Sequence, residues 1–199
     1  TRLEGLYTQT LNSNHATILA ERATVAGPNS VRLASGKEVT AKIILIAVGA
    51  WPGIPNIPGA EHGITSNEIF HLDALPKRVV IAGAGYIANE FAGVFHAFGS
   101  KVSLITRGNR MLRSYDSEIV DRLVAMTEAK GIGVHFNFPC ATITKQADGS
   151  LLLDGGAQGI IETDMLVFAI GRTPKTEGLG LEAAGVELDA DAAIIVNDH

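Results

Sequence analysis

Residues 78–113 read RVVIAGAGYIANEFAGVFHAFGSKVSLITRGNRMLR. The apolar run Val79–Ala82 predicts a buried parallel strand, and Gly83-Ala84-Gly85 breaks it. Tyr86–Phe98 then predicts a helix, because Ile87, Phe91, Val94, Phe95 and Phe98 recur at helical spacing. Gly99 stops that helix, and Val102–Ile105 predicts a second strand. The pattern G-x-G-x-x-A (Gly83, Gly85, Ala88) thus falls between strand and helix inside one βαβ unit, where a dinucleotide-binding turn must lie. Each residue type has a physical task there. Gly83 permits the sharp turn, Gly85 lets backbone approach a pyrophosphate, and Ala88 lets the helix pack closely on the strand. The N–H groups that open the helix then face the phosphates, aided by the helix dipole.

The end of the second strand selects the dinucleotide. An NAD site carries Asp or Glu about 20 residues beyond the glycines, where it accepts from the ribose 2′-hydroxyl. Here Ser103-Leu104-Ile105-Thr106-Arg107 contains no acid, and Arg107, Arg110 and Arg113 follow at intervals of three. Guanidinium groups suit a 2′-phosphate dianion, because they are forked and permanently charged donors. A solvated basic loop is the competing reading. The cluster's place at the specificity position favours the phosphate, so the cofactor expected is NADP(H).

Composition narrows the remaining classes. With 199 residues the chain has material for one good core or two small ones. Its 46% hydrophobic and 19% charged residues are ordinary for a globular protein. A formal net charge of −5 argues against nucleic acid as a partner. No apolar run approaches the roughly 18 residues of a membrane span and no signal peptide opens the chain, so no membrane association is expected. The single cysteine, Cys140, excludes an internal disulfide framework and fits a reducing, cytoplasmic setting. The chain opens on Thr1 directly into a helical pattern (Leu3, Leu6, Tyr7, Thr10, Leu11), which reads as an excised piece.

Outward from the central stretch, residues 1–12 predict the tail of an amphipathic helix, followed by strands at Ala16–Val25 and Val31–Ala34. Lys42–Val48 predicts the strongest strand after Val79–Ala82. The Pro- and Gly-rich run WPGIPNIPG (51–59) predicts a domain boundary. Asp116 is placed to cap a helix whose Ile119, Val120, Leu123, Val124 and Met126 face a core; Gly131 ends it and Gly133–Phe136 predicts a third strand. Ala141–Gln146, Leu151–Leu153 and Gly159–Glu162, divided by Asp-Gly turns, predict a three-stranded antiparallel meander. Met165–Ile170 returns as a buried strand, and Ala193–Val196 predicts a last one. The fold class expected is α/β and Rossmann-like, with a parallel sheet, helices, the meander and β-rich flanks.

GAGYIANEFAG (83–93), ITRGNRMLRSYD (105–116), LIAVGAWPGIPNIPG (45–59) and FAIGRTP (168–174) resemble the flavin-dependent pyridine-nucleotide disulfide oxidoreductases, and most nearly their glutathione-reductase branch. The resemblance implies a nucleotide domain at 53–170 inserted in an FAD domain, of which 1–52 and 171–199 are parts. It implies that Ala84, Ile87 and Glu90 line the NADP(H) site, that Arg107 and Arg113 hold the 2′-phosphate, and that Tyr86 covers the nicotinamide pocket, with Gly171 beside it. Ala23 is implied as a backbone contact to FAD, and Tyr7 as a contact to oxidised glutathione, the substrate. For the intact protein it implies a homodimer that passes electrons from NADPH through FAD and an active-site disulfide to glutathione disulfide. The redox Cys-x4-Cys pair, the glycine-rich FAD turn, the later Gly-Asp flavin contact and the C-terminal His/Glu pair are absent from these residues, so no catalytic residue is assigned. A family reductase with another acceptor (mercuric, trypanothione or ferredoxin-type) and a non-catalytic NADP(H)-sensing module stay open.

Overall fold

A computed structural model describes residues 2–197; Thr1, Asp198 and His199 at the ends of the predicted flanks lie outside the described residues. The chain divides into two compact units, Ala50–Thr173 and Thr1–Gly49 with Pro174–His199.

In chain order, the first unit begins with α1 (Arg2–Ser13), β1 (Ala23–Gly27), β2 (Ser30–Leu33) and β3 (Glu38–Thr40). The three strands form an antiparallel sheet in that order, with Ala23 opposite Leu33 and Val31 opposite Val39. The Val25 N–H donates to the Leu179 carbonyl (2.6 Å), which ties β1 to the segment after residue 174. Helix α1 forms as its spacing predicts, yet buries no side chain.

Three expected strands of this unit come out differently. Ala16–Val25 is strand only from Ala23 onward. Lys42–Val48 carries no strand, and Ile43 and Leu45 stand 85% and 86% exposed. Ala193–Val196 reduces to one bridge, Leu188 to Ile194. The reason is common to all: a strand is a pairing, and an apolar run without a hydrogen-bonded neighbour does not become one.

The second unit holds β4 (Ala50–Pro52), β5 (Ile64–Thr65), α2 (Ser66–Ile69), β6 (Arg78–Ala82), α3 (Tyr86–Ala97), β7 (Lys101–Ile105), α4 (Ser117–Ala129) and β8 (Gly133–His135). After these come β9 (Thr142–Lys145), β10 (Leu151–Asp154), β11 (Ile160–Thr163), β12 (Met165–Phe168) and β13 (Arg172–Pro174), whose last residue opens the other unit's second segment. Five strands make a parallel sheet ordered β5-β12-β6-β7-β8. The expected meander is present as the antiparallel sheet β9-β10-β11. The architecture is therefore α/β and Rossmann-like, as the sequence predicts.

Both faces of the parallel sheet are covered, which explains why β6 is apolar from Val79 to Ala82. Val79 and Ile81 turn towards Ala88, Ala92 and Phe95 of α3 and Val120 of α4. Val80 and Ala82 turn the other way, towards Ile143, Leu151 and Leu153 of the meander. A clamp joins the two layers at the start of β6. The Arg78 N–H donates to Asp164 Oδ2 (2.9 Å), its Nε to Asp164 Oδ1 (3.0 Å) and its Nη1 to Glu162 Oε1 (2.6 Å).

Asp116 caps α4 as expected, its Oδ1 accepting from the N–H groups of Glu118 (3.0 Å) and Ile119 (3.3 Å). The inward face of that helix is narrower than predicted. Val120 is buried and Val124 partly so, whereas Ile119, Leu123 and Met126 face outward. One i, i+4 stripe suffices where a helix lies on the rim of a sheet. The segment β5–α2 goes unforeseen, although its capping box is visible as Thr65-x-x-Glu68: the Thr65 N–H and Oγ1–H each donate to Glu68 Oε2 at 2.7 Å.

Candidate dinucleotide site

The order β8-β7-β6-β12 reverses direction between β6 and β12, and in such sheets ligands bind beyond the carboxyl ends of the strands at that point. Gly83-Ala84-Gly85 leaves β6 there. A Cβ on Gly83 (φ 155°) would collide with the Ala169 carbonyl just past β12, whose own N–H donates to Ala82 (2.8 Å). Gly83 is thus demanded by the fold. Ala88 is fully buried among Val79, Ile81 and Val102, so its small size is also a packing requirement.

Gly85 is different. Its φ of −86° suits any residue, it is exposed, and no atom lies within 4 Å of where a Cβ would stand. Nothing inside the protein requires a glycine here, and the open backbone is a cradle that a Cβ would fill. Gly85 caps α3 without a side-chain hydrogen bond, leaving the opening N–H groups of the helix for an external acceptor. Those features fit a pyrophosphate.

Tyr86 and Glu90 are exposed one turn apart on α3, with Ile87 half-buried between them. The loop after β7 is fastened to the turn by backbone alone: the Leu112 N–H donates to the Ala84 carbonyl at 2.8 Å. The Asn137 N–H donates to Gly108 (3.0 Å) and the Phe138 N–H to Thr106 (2.9 Å), fixing the loop's other side. Arg107 and Arg113 are exposed on it, and the Arg113 guanidinium lies against Gly108, where any side chain would displace it. Among the described residues none of Arg107, Arg110 and Arg113 pairs with a carboxylate. Three cations without counter-ions among the described residues leave this loop locally positive in a chain with 21 acidic and 16 basic residues.

Gly171 follows β12 on the other side of the switch point, and its carbonyl accepts from the Gly53 N–H (2.9 Å). The structure therefore gathers Gly83 to Ala88, Glu90, Arg107 and Arg113 about β6 and β7, with Gly171 after β12. Ala23 and Tyr7 belong to the other unit: Ala23 is half-buried in β1, and Tyr7 is exposed on α1. Among the described residues no second glycine-rich strand–turn–helix offers a seat for a further dinucleotide, so the residues present do not by themselves make an FAD site. Cys140 is buried, and that burial pushes its thiol up to about 11, with Asp154 adding to the shift. It stays protonated and unreactive at neutral pH. The sequence offers no sign of the Leu112–Ala84 bond, since a backbone pairing leaves no side-chain signature.

Residues 1–199 match the family model described as pyridine nucleotide-disulphide oxidoreductase. The chain belongs to that family. Among curated members it is 38% identical to glutathione reductase of Burkholderia cepacia and 39% to that of Schizosaccharomyces pombe, matching over 100% of this chain and 44% of each relative. Against glutathione reductase of a Nostoc species it is 39% identical over 94% of the chain and 41% of the relative. The chain thus spans less than half the length of these oxidoreductases. Among solved structures it resembles the HOCl-induced flavoprotein disulfide reductase RclA from Escherichia coli, with TM-score 0.87, 26% identity, and coverage of 98% of this chain and 47% of that one. The Cu(II) complex of the same reductase gives TM-score 0.81 at 28% identity over 88% and 41%. Among the described residues no helix is long and apolar enough to cross a membrane.

Proposed function

We propose that residues 53–170 are the NADP(H)-binding domain of a flavin-dependent disulfide reductase, flanked by parts of its FAD domain. The observation that carries this reading is the Gly85 cradle at the switch point, fastened through Ala84 to a loop of unpaired arginines. In this reading the turn and the start of α3 hold the pyrophosphate, Arg107 and Arg113 hold the 2′-phosphate, and Ala84, Ile87 and Glu90 line the groove. Tyr86 and Gly171 flank the nicotinamide. The compact unit Ala50–Thr173 supports the domain limits. In the intact homodimer, Ala23 would give one backbone contact to FAD, and that group would supply the redox chemistry linking NADPH to a disulfide acceptor.

Two acceptors have support. Identity of 38–39% to glutathione reductases favours oxidised glutathione, contacted by Tyr7. The backbone similarity to a disulfide reductase induced by HOCl favours a family member with another acceptor. Turnover of NADPH by the full open reading frame that encodes this chain separates them: oxidised glutathione as the fastest substrate supports the first, and another oxidant supports the second. The nucleotide assignment is tested by Arg107→Glu with Arg113→Leu. Losing two charge-assisted contacts weakens NADPH binding about 100-fold while NADH affinity holds or rises. Unchanged NADPH affinity by calorimetry overturns the assignment.

A further inference from the structure

Arg110 is the member of the arginine cluster that neither motif nor resemblance requires. Its side chain is half-buried, and both Nε and Nη2 are shut away from solvent with no hydrogen-bond acceptor. An unpartnered guanidinium is among the costlier groups to bury, far more so than an apolar side chain of similar length. Packing gives no reason for a cation here, since the adjoining Met111 is buried in the apolar core beneath α3 and α4. A group held at such a cost calls for a compensating role.

The loop tells what that role is. Arg110 stands midway between Arg107 and Arg113, and none of the three meets a carboxylate among the described residues. The backbone on either side is fixed, by Asn137 N–H to Gly108 and by Leu112 N–H to Ala84, while no hydrogen bond holds Nε or Nη2 of the Arg110 side chain. A phosphate monoester dianion has three terminal oxygens, more acceptor capacity than two guanidinium groups use up.

We infer that Arg110 is a specificity-determining residue, a third guanidinium for the nucleotide's 2′-phosphate that satisfies its buried N–H groups by turning onto the dianion. The inference rests on the NADP(H) reading and deepens it. It explains why the cluster has three members at equal spacing. It also makes Arg110 a residue that costs the fold stability in exchange for ligand discrimination.

The test uses the full open reading frame, with 2′,5′-ADP and 5′-AMP as probes in calorimetry and a thermal midpoint for each variant. Arg110→Met keeps the length and apolar stem but removes the charge. It should weaken 2′,5′-ADP about tenfold, leave 5′-AMP unchanged, and hold or raise the midpoint. Arg110→Lys should fall between, because an ammonium supplies charge without the fork. The inference is overturned if Arg110→Met leaves 2′,5′-ADP untouched, weakens both probes alike, or lowers the midpoint, the last two marking a purely structural side chain. Arg107→Ala serves as the control. If it discriminates between the probes and Arg110→Met does not, this inference alone falls; if neither discriminates, the NADP(H) reading falls with it.

Discussion

Val79–Ala82 and Lys42–Val48 are the two most strand-like runs in the chain, and they meet opposite fates. The first lies between β12 and β7 with every residue of the run buried; the second is unpaired in the other unit, with Ile43 and Leu45 exposed and Ile44 and Ile46 only half-buried. Composition does not separate them. The difference is supply of neighbours: β6 has a parallel strand on each side and an apolar layer on each face, and residues 42–48 have neither. Apolar content fixes what a segment can become, and pairing fixes what it does become.

The sharpest way to break this contrast is to put the same charge into both runs. Val80→Asp buries a carboxylate between the sheet and the meander and should cost about 4 kcal/mol or more, enough to unfold the unit in a denaturant titration. Leu45→Asp, at a position already in water, should change the stability of the 199-residue chain by less than about 0.5 kcal/mol. Equal losses would show that residues 42–48 are packed after all. Repeating Leu45→Asp in the full open reading frame sharpens the comparison: a large loss there locates the missing neighbour in the additional sequence.

The two glycines at the end of β6 repeat the lesson on a smaller scale. Gly83→Ala sets a methyl group against the Ala169 carbonyl and should destabilise by about 2 kcal/mol, read as a lower thermal midpoint. Gly85→Ala meets no protein atom, so the midpoint should hold while NADPH affinity falls about tenfold, because the cradle is filled. A normal affinity for Gly85→Ala would remove the pyrophosphate from that position.

The smallest effect concerns the clamp that β6 has and residues 42–48 lack. Hydrogen bonds from the Arg78 side chain, then its backbone N–H, hold the Asp164 carboxyl below the ordinary aspartate range. A depressed carboxyl contributes stability that is present above its unfolded value and is lost as pH falls through the folded one. Asp164→Asn should therefore flatten the acid limb of a stability–pH profile and leave the neutral region nearly level. Because the pair is solvent-accessible, 1 M salt should erase most of that difference. A profile unaltered by the substitution would count against the clamp.

The legible parts of the sequence were those in which one local signal answers to one local cause. The βαβ unit, the meander turns and the Asp116 cap each follow from a few adjacent residues. The α4 face was legible only to within a stripe, since Val120 and Met126 look alike until a sheet is laid beneath one of them. Residues 42–48 and 193–196 were misleading because partnership is not written in the partner that waits for it. At the site, the glycines and arginines stand out by type, whereas the seclusion of Arg110 and the pairing of Leu112 with Ala84 exist only in three dimensions.

That last bond has an evolutionary consequence. Because it runs from amide to carbonyl, no side-chain replacement at position 84 or 112, proline aside, abolishes its donor or acceptor. If the proposed NADP(H) site holds, coenzyme preference could therefore drift by point changes at 107, 110 and 113 while the frame that presents them stays put, and lineages could switch between nucleotides without first rebuilding the loop.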